Sequence, residues 1–260
     1  MTPQLNQEML SAASGVLVGV SLGLIGGGGS VLGVPLMVYL VRVSDPHVAI
    51  GTSALGVAVN AVLSLAQHAR ARTVKWRCGA MYATAGVIGA WLGSSFGKIV
   101  DGERLLFLFA LVMIVIAVVM VRRRRDSGDP GAQCHVERAP KVFGYGLVTG
   151  VFSGFFGIGG GFLIVPGLLR STGMPMINAI GTSLVAVTAF GLATALNYSM
   201  SGLIDWGLAG AFIGGGFVGS ALGARAARRL AKDTARLAMI FATIVFGVAL
   251  YMLARTATAW

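Results

Sequence analysis

Apolar positions along this chain fall into eight runs of about 17 or more residues without an internal charge, long enough for a helix to cross a hydrocarbon core of about 30 Å. The runs are Gly15–Val41, Val48–Gln67, Cys78–Gly97, Leu105–Val121, Phe143–Leu169, Met176–Tyr198, Trp206–Ala224 and Leu237–Ala254. The first and fifth hold 27 residues each, about 40 Å as straight helices and too long for that core. Both also carry a glycine cluster. Gly26-Gly27-Gly28-Gly29-Ser30 precedes Pro35, and Gly157-Ile158-Gly159-Gly160-Gly161 precedes Pro166. Each glycine costs a helix roughly 0.8–1 kcal/mol relative to alanine, so both segments are predicted to break there. In lipid a break is tolerated only where the freed N–H and C=O groups meet protein or a wet cavity. Broken segments at corresponding places in two halves point to the binding site of a transporter.

The halves do correspond. Pro35 aligns with Pro166, Ala49-Ile50-Gly51-Thr52-Ser53 with Ala179-Ile180-Gly181-Thr182-Ser183, and Trp76 with Trp206. Gly86, Gly89 and Gly93 align with Gly216, Gly219 and Gly223, at an offset of 129 to 131 residues throughout. The pattern predicts an all-α polytopic membrane protein of two homologous four-segment repeats, each with a glycine-broken or re-entrant first segment. Residues 1–121 form the first repeat and 142–260 the second. The polar stretch 122–141 between them contains Arg122 to Arg125, Pro130 and Pro140.

Cytoplasmic loops collect Lys and Arg, so charge chooses between topologies. If all eight segments cross, the two faces hold 11 and 9 basic residues, almost no bias. If the two broken segments enter and return on the same side, one face gathers 16 and the other keeps Arg42, Lys98, Arg104 and Arg255. The second arrangement is favoured. It is an inverted repeat with six full spans, a cytoplasmic linker 122–141 and both termini outside the inner membrane. A kinked long helix in each repeat is the competing model.

Composition agrees. The chain is 56% hydrophobic and 11% charged, against about 25% charged in soluble domains. A net charge of +11 would suggest nucleic acid for a soluble protein, but here the basic residues sit in short loops, where they set orientation. No nucleic-acid partner is expected. Met1 to Ser14 contain no Lys or Arg, hence no basic region of a secretory leader, and the N-terminus is read as retained. Cys78 and Cys134 show neither CxxC nor metal-ligand spacing and are read as reduced.

All nine acidic residues lie outside the segment interiors, which argues against a metal-ion or proton-antiport site built on carboxylates. An anion needs donors instead. Candidates are backbone groups and hydroxyls at Gly28, Gly29, Ser30, Gly159, Gly160 and Gly161, with Thr52, Ser53, Thr182 and Ser183 as a second layer and Asn60 and Asn197 beyond. A half-helix beginning near Ser30 or Gly161 would aim its positive N-terminal end at the membrane centre. The half-helix ending there offers carbonyls, so geometry alone leaves the sign of the ligand open. Glycine clusters also serve close helix packing, the reading given to Gly89, Gly93 and Gly97 and to Gly215, Gly219 and Gly223. Trp76 and Trp206 read as interfacial anchors. No Walker motif and no nucleophile–base pair is present, so the chain reads neither as an ATP-driven pump nor as an enzyme.

The Gly-Ile-Gly-Gly-Gly run before Pro166, the Ala-Ile-Gly-Thr-Ser repeat start and Asp205-Trp206 opening a Gly-rich segment resemble the TauE/SafE family, sulfite and organosulfonate exporters also grouped as toluene-sulfonate permeases. The resemblance spans about Gly15 to Ala254. In the first repeat Gly27 replaces the Ile, Ser30 the final Gly and Lys75 the Asp. The resemblance implies an inner-membrane permease for small sulfur-containing anions, with no cofactor. A coupling ion, proton or sodium, and a second copy of the chain are compatible partners. A passive anion channel and a non-transporting scaffold or accessory subunit are the alternatives.

Overall fold

The computed structural model describes residues 3–122, 139–159, 161–230 and 234–257, and among these all regular structure is helical. Most of the polar linker therefore lies outside the described residues, as do Cys134 and Gly160. The first half contains α1 (Pro3–Ile25), a returning arm, α3 (Pro46–Arg70), α4 (Trp76–Gly97) and α5 (Gly102–Arg122). The second contains α6 (Ala139–Phe156), α7 (Gly161–Thr172), α8 (Met176–Ser199), α9 (Trp206–Leu230) and α10 (Thr234–Ala257). Helix α1 begins twelve residues before its apolar run, because Gln4 to Met9 are good helix formers that polarity alone does not stop.

Both expected breaks are present. Gly26 adopts φ +68° and Gly157 φ +67°, left-handed values that cost other residues about 1–2 kcal/mol. After Gly26 the chain tightens into a 3₁₀ stretch, Gly26–Leu32, passes through one α turn, α2 (Gly33–Pro35), and widens into a π stretch, Leu36–Leu40. Pro35 has no N–H to donate and its ring crowds the carbonyl one turn back, on the side of the 3₁₀ stretch. The arm runs back along α1. Gly29 packs on Ser21 and Leu22, and the Ser11 hydroxyl lies 4.0 Å from the Met37 sulfur. In the second half α6 and α7 fold on each other in the same sense, for Thr149 and Gly167, either side of Gly157, both meet the Tyr82 hydroxyl.

The helices interlace. α1 lies along α9 and α4 along α6, α3 packs on α8, and α5 pairs with α10. Gly219 and Gly223 rest on the backbone of Val16 and Val20; Gly89 and Gly93 rest on that of Leu147 and Val151. Sequence numbers rise together on both sides of each contact, so both pairs run parallel. A Cβ at any of these glycines would strike backbone, so the glycine stripes set the helix separation as expected.

Four stretches among the described residues are long and apolar enough to cross a membrane: Gln4–Leu40, Pro46–Arg70, Met176–Ser199 and Trp206–Gly223. Trp76 and Trp206 are exposed at the first residues of α4 and α9. Cys78, buried near the start of α4, is disulfide-bonded, which corrects its reading as reduced.

Candidate functional site

The two breaks meet each other. A Cβ on Gly27 would sit 2.7 Å from the Gly161 Cα, and one on Gly161 would overlap the Gly27 carbonyl. Glycine is required on both sides because backbone passes against backbone. Helices α3 and α8 flank the crossing. Gly159, at φ +63°, faces Val57 of α3 and Val187 of α8, with an added Cβ 3.3 and 3.2 Å from them. Gly26 faces Ile180 and Gly157 faces Ile50, residues 130 apart. Each turn is thus seated on the helix of the other half.

The hydroxyls sort into two groups. At the crossing, Ser30 Oγ donates to the Gly27 carbonyl (2.8 Å), while the Gly27 N–H donates to Ser183 Oγ (3.2 Å). Ser183 Oγ donates in turn to Ile180 O (2.7 Å) and Ser53 Oγ to Ile50 O (3.0 Å). At the ends of the flanking helices, Thr52 Oγ1 accepts the Asp205 N–H (3.0 Å) and Thr182 Oγ1 accepts the Lys75 N–H (2.9 Å). These threonines tie the entry of α9 and α4 to the opposite half. The structure therefore brings Ser30, Gly159, Gly161 and Ser183 together with Gly27 at the crossing, whereas Gly29 turns towards Ser21 and Leu22 of α1, Ser53 lies beside Gly33, and Gly28 is buried in the same stretch.

The two asparagines part company. Asn197 lies at the C-terminal end of α8, where the two N–H donors of its Nδ2 are shared among Trp91 O (3.1 Å), Ser94 Oγ (2.7 Å) and Ser95 Oγ (2.9 Å) of α4. Lys98 donates to its carbonyl (3.2 Å) and its Oδ1, and to Ser201 Oγ (2.8 Å). The lysine closes the carbonyl end of α8, where a cation is favoured, and joins α4 to α8 away from the crossing. Asn60, on α3 one turn past Val57, is fully buried with no partner for Nδ2 or Oδ1. A buried polar group left unpaired costs about 1–3 kcal/mol.

Three features escaped the sequence reading. Lys98 stood in a loop beyond its apolar run and gave no sign of its partner. The Tyr82 hydroxyl pairs with Thr149 Oγ1 (2.8 Å) inside the core. Ser64 and Thr194, both buried with unpartnered hydroxyls, stand 130 residues apart, so the internal alignment carried a signal for them. The described acidic residues, Glu8, Asp45, Asp101, Glu103 and Asp205, are exposed, and no group of three metal-ligating side chains occurs among the described residues. The crossing offers backbone and hydroxyl dipoles without a carboxylate.

Residues 11–252 match the family described as Sulfite exporter TauE/SafE. A probable membrane transporter protein of Xylella fastidiosa is 47% identical over 251 residues, covering 95% of each chain. The probable membrane transporter protein YunE of Bacillus subtilis is 26% identical over 256 residues, 90% of this chain and 93% of its own. The probable membrane transporter protein MJ0441 of Methanocaldococcus jannaschii is 25% identical over 197 residues, 71% and 69% of the two chains. No solved structure matches.

Proposed function

This chain belongs to the Sulfite exporter TauE/SafE family of membrane transporters, and from that premise we propose that it is a secondary transporter for a small sulfur-containing anion such as sulfite or an organosulfonate. The observation that carries the reading is the meeting of the two glycine breaks between α3 and α8, lined by hydroxyls and backbone and free of carboxylate. Backbone N–H groups at the N-terminus of α7 and at the turn after Gly26 supply the donors for an oxyanion. In this reading the inner layer is Gly28, Gly29, Ser30, Gly159 and Gly161, with Gly160, which lies outside the described residues, and the outer layer is Thr52, Ser53, Thr182 and Ser183.

Alternating access follows from an inverted repeat. Helices that run parallel start on the same membrane face. With each broken segment returning to its own side, α1 and α9 both leave the face of the termini, and α4 and α6 both leave the face of the linker. Eight full crossings would give the same parallel pairs; what supports the re-entrant arrangement is the first arm, which returns along α1 to set Gly29 on Ser21 and Leu22 and Met37 beside Ser11. The excess of Lys and Arg places linker 122–141 in the cytoplasm, between repeats 1–121 and 142–260 of an inner-membrane protein with both termini outside.

Counterflow in proteoliposomes tests the reading, with sulfite, sulfate, thiosulfate, methanesulfonate and chloride offered to the parent protein and to Gly159→Leu. The expected result is saturable exchange of a sulfur oxyanion, lost in the variant. Flux that does not saturate means a channel. Absence of flux leaves the scaffold reading.

A further inference from the structure

The two sides of the glycine crossing have equivalent slots, and the slots are filled differently. On one side α8 presents Phe190, whose ring lies against Gly86 of α4 and stacks on Tyr82, with centroids 6.3 Å apart and planes at 21°. The Tyr82 hydroxyl is bonded to Thr149 of α6. That slot is closed by aromatic packing. On the other side the residue aligned with Phe190 is Asn60 of α3, set against Gly216 of α9, and Phe212 stands where Tyr82 stood. Asn60 is fully buried with both amide atoms unpartnered; Ser64, one turn further along the same face, is fully buried with its hydroxyl unpartnered.

Ser153, Thr194 and Tyr198 also bury a hydroxyl without a partner, but the amide is a different case. A Ser or Thr hydroxyl can rotate onto the carbonyl one turn back in its own helix. An asparagine amide bonds its own backbone chiefly in non-helical conformations, so in mid-helix it depends on a partner from outside. At Asn60 the neighbouring contact is glycine.

We infer that Asn60, with Ser64 beside it, forms a neutral subsite that hydrogen-bonds the oxygens of the transported oxyanion; its amide exists on the α1–α3–α9 side only, whereas the hydroxyl of Ser64 is repeated at Thr194. The anion leaving the crossing passes Val57 and is taken up one turn beyond. Nδ2 brings two N–H donors and Oγ a third, with no fixed negative charge in the slot. Neutral donors recognise the oxygens without the strong hold of a buried cation, which a step along a transport path requires. This inference rests on the transporter reading above.

Sulfite counterflow and thermal unfolding of the purified full-length protein test it with Asn60→Leu and Ser64→Ala. Asn60→Leu, close to isosteric, is expected to melt at or above the parent temperature while losing at least tenfold in flux. Ser64→Ala is expected to raise the KM for sulfite three- to tenfold with little change in maximal rate. A stable Asn60→Leu with parental flux and KM means that the amide holds water only, and overturns the subsite. Should that variant fail to fold, an unchanged KM in Ser64→Ala overturns it equally. Absence of flux in the parent protein removes the transporter reading itself, and the subsite with it.

Discussion

The α4–α6–α8 side of the core and the α1–α3–α9 side share one backbone plan. Glycines at matching positions hold α4 on α6 and α1 on α9, matching threonines receive the N–H of Lys75 and Asp205, and matching isoleucines seat the two turns. The divergence is in side chains. Phe190 and Tyr82 close one slot, whereas Asn60 leaves an unpaired amide in the other. Backbone geometry is therefore held by residues common to both halves, and polarity is set by a position where they differ.

The comparison is broken most severely where the halves touch. Gly161→Leu places a side chain into the Gly27 carbonyl, and overpacking against backbone exceeds the 1–3 kcal/mol typical of a core that can adjust. We expect the variant to lose counterflow and its cooperative melting transition; a parental melting curve would show that the breaks separate freely. Next in size, Phe190→Ala empties the closed slot and should cost about 3–5 kcal/mol by analogy with buried aromatic truncations. Chemical unfolding of the purified protein measures it, and a cost below 1 kcal/mol would mean that the ring is not what closes that side. Smallest are Thr52→Val and Thr182→Val, each removing one acceptor from a backbone N–H, at about 1–3 kcal/mol. Equal losses in the two variants, read by the same unfolding, would sharpen the equivalence of the halves; a difference greater than twofold would break it.

Much of this plan was readable in advance, for reasons that differ by residue. The glycine clusters signalled broken helices because no other residue is so poor a helix former short of proline. The four-spaced glycines signalled close helix contact because small residues let backbones approach; that the contacts are parallel came from the structure. The 130-residue offset even paired Thr52 with Thr182 before either had a partner. Other features were hidden. Helical periodicity records which face of a segment is apolar, not where the next segment lies, so the tie from Lys98 to Asn197 had no local sign. Asn60 could be picked out as a polar residue in an apolar run. That it lacks any partner depends on Gly216 being its neighbour, a contact 156 residues away.

The interlacing of first and third helices bears on how the chain is made. The glycine face of α1 is complete once Ile25 has left the ribosome, but its partner α9 begins only at Trp206. At about 5–20 residues per second that wait lasts on the order of 10–40 s. During it the face of α1 that carries Gly15 and Gly19 lacks its partner, although the arm of the first half can already pack on Ser21 and Leu22. Release from the insertion machinery and completion of the fold are therefore separate events, and a chain cut short in the linker is an unfinished object rather than half a protein.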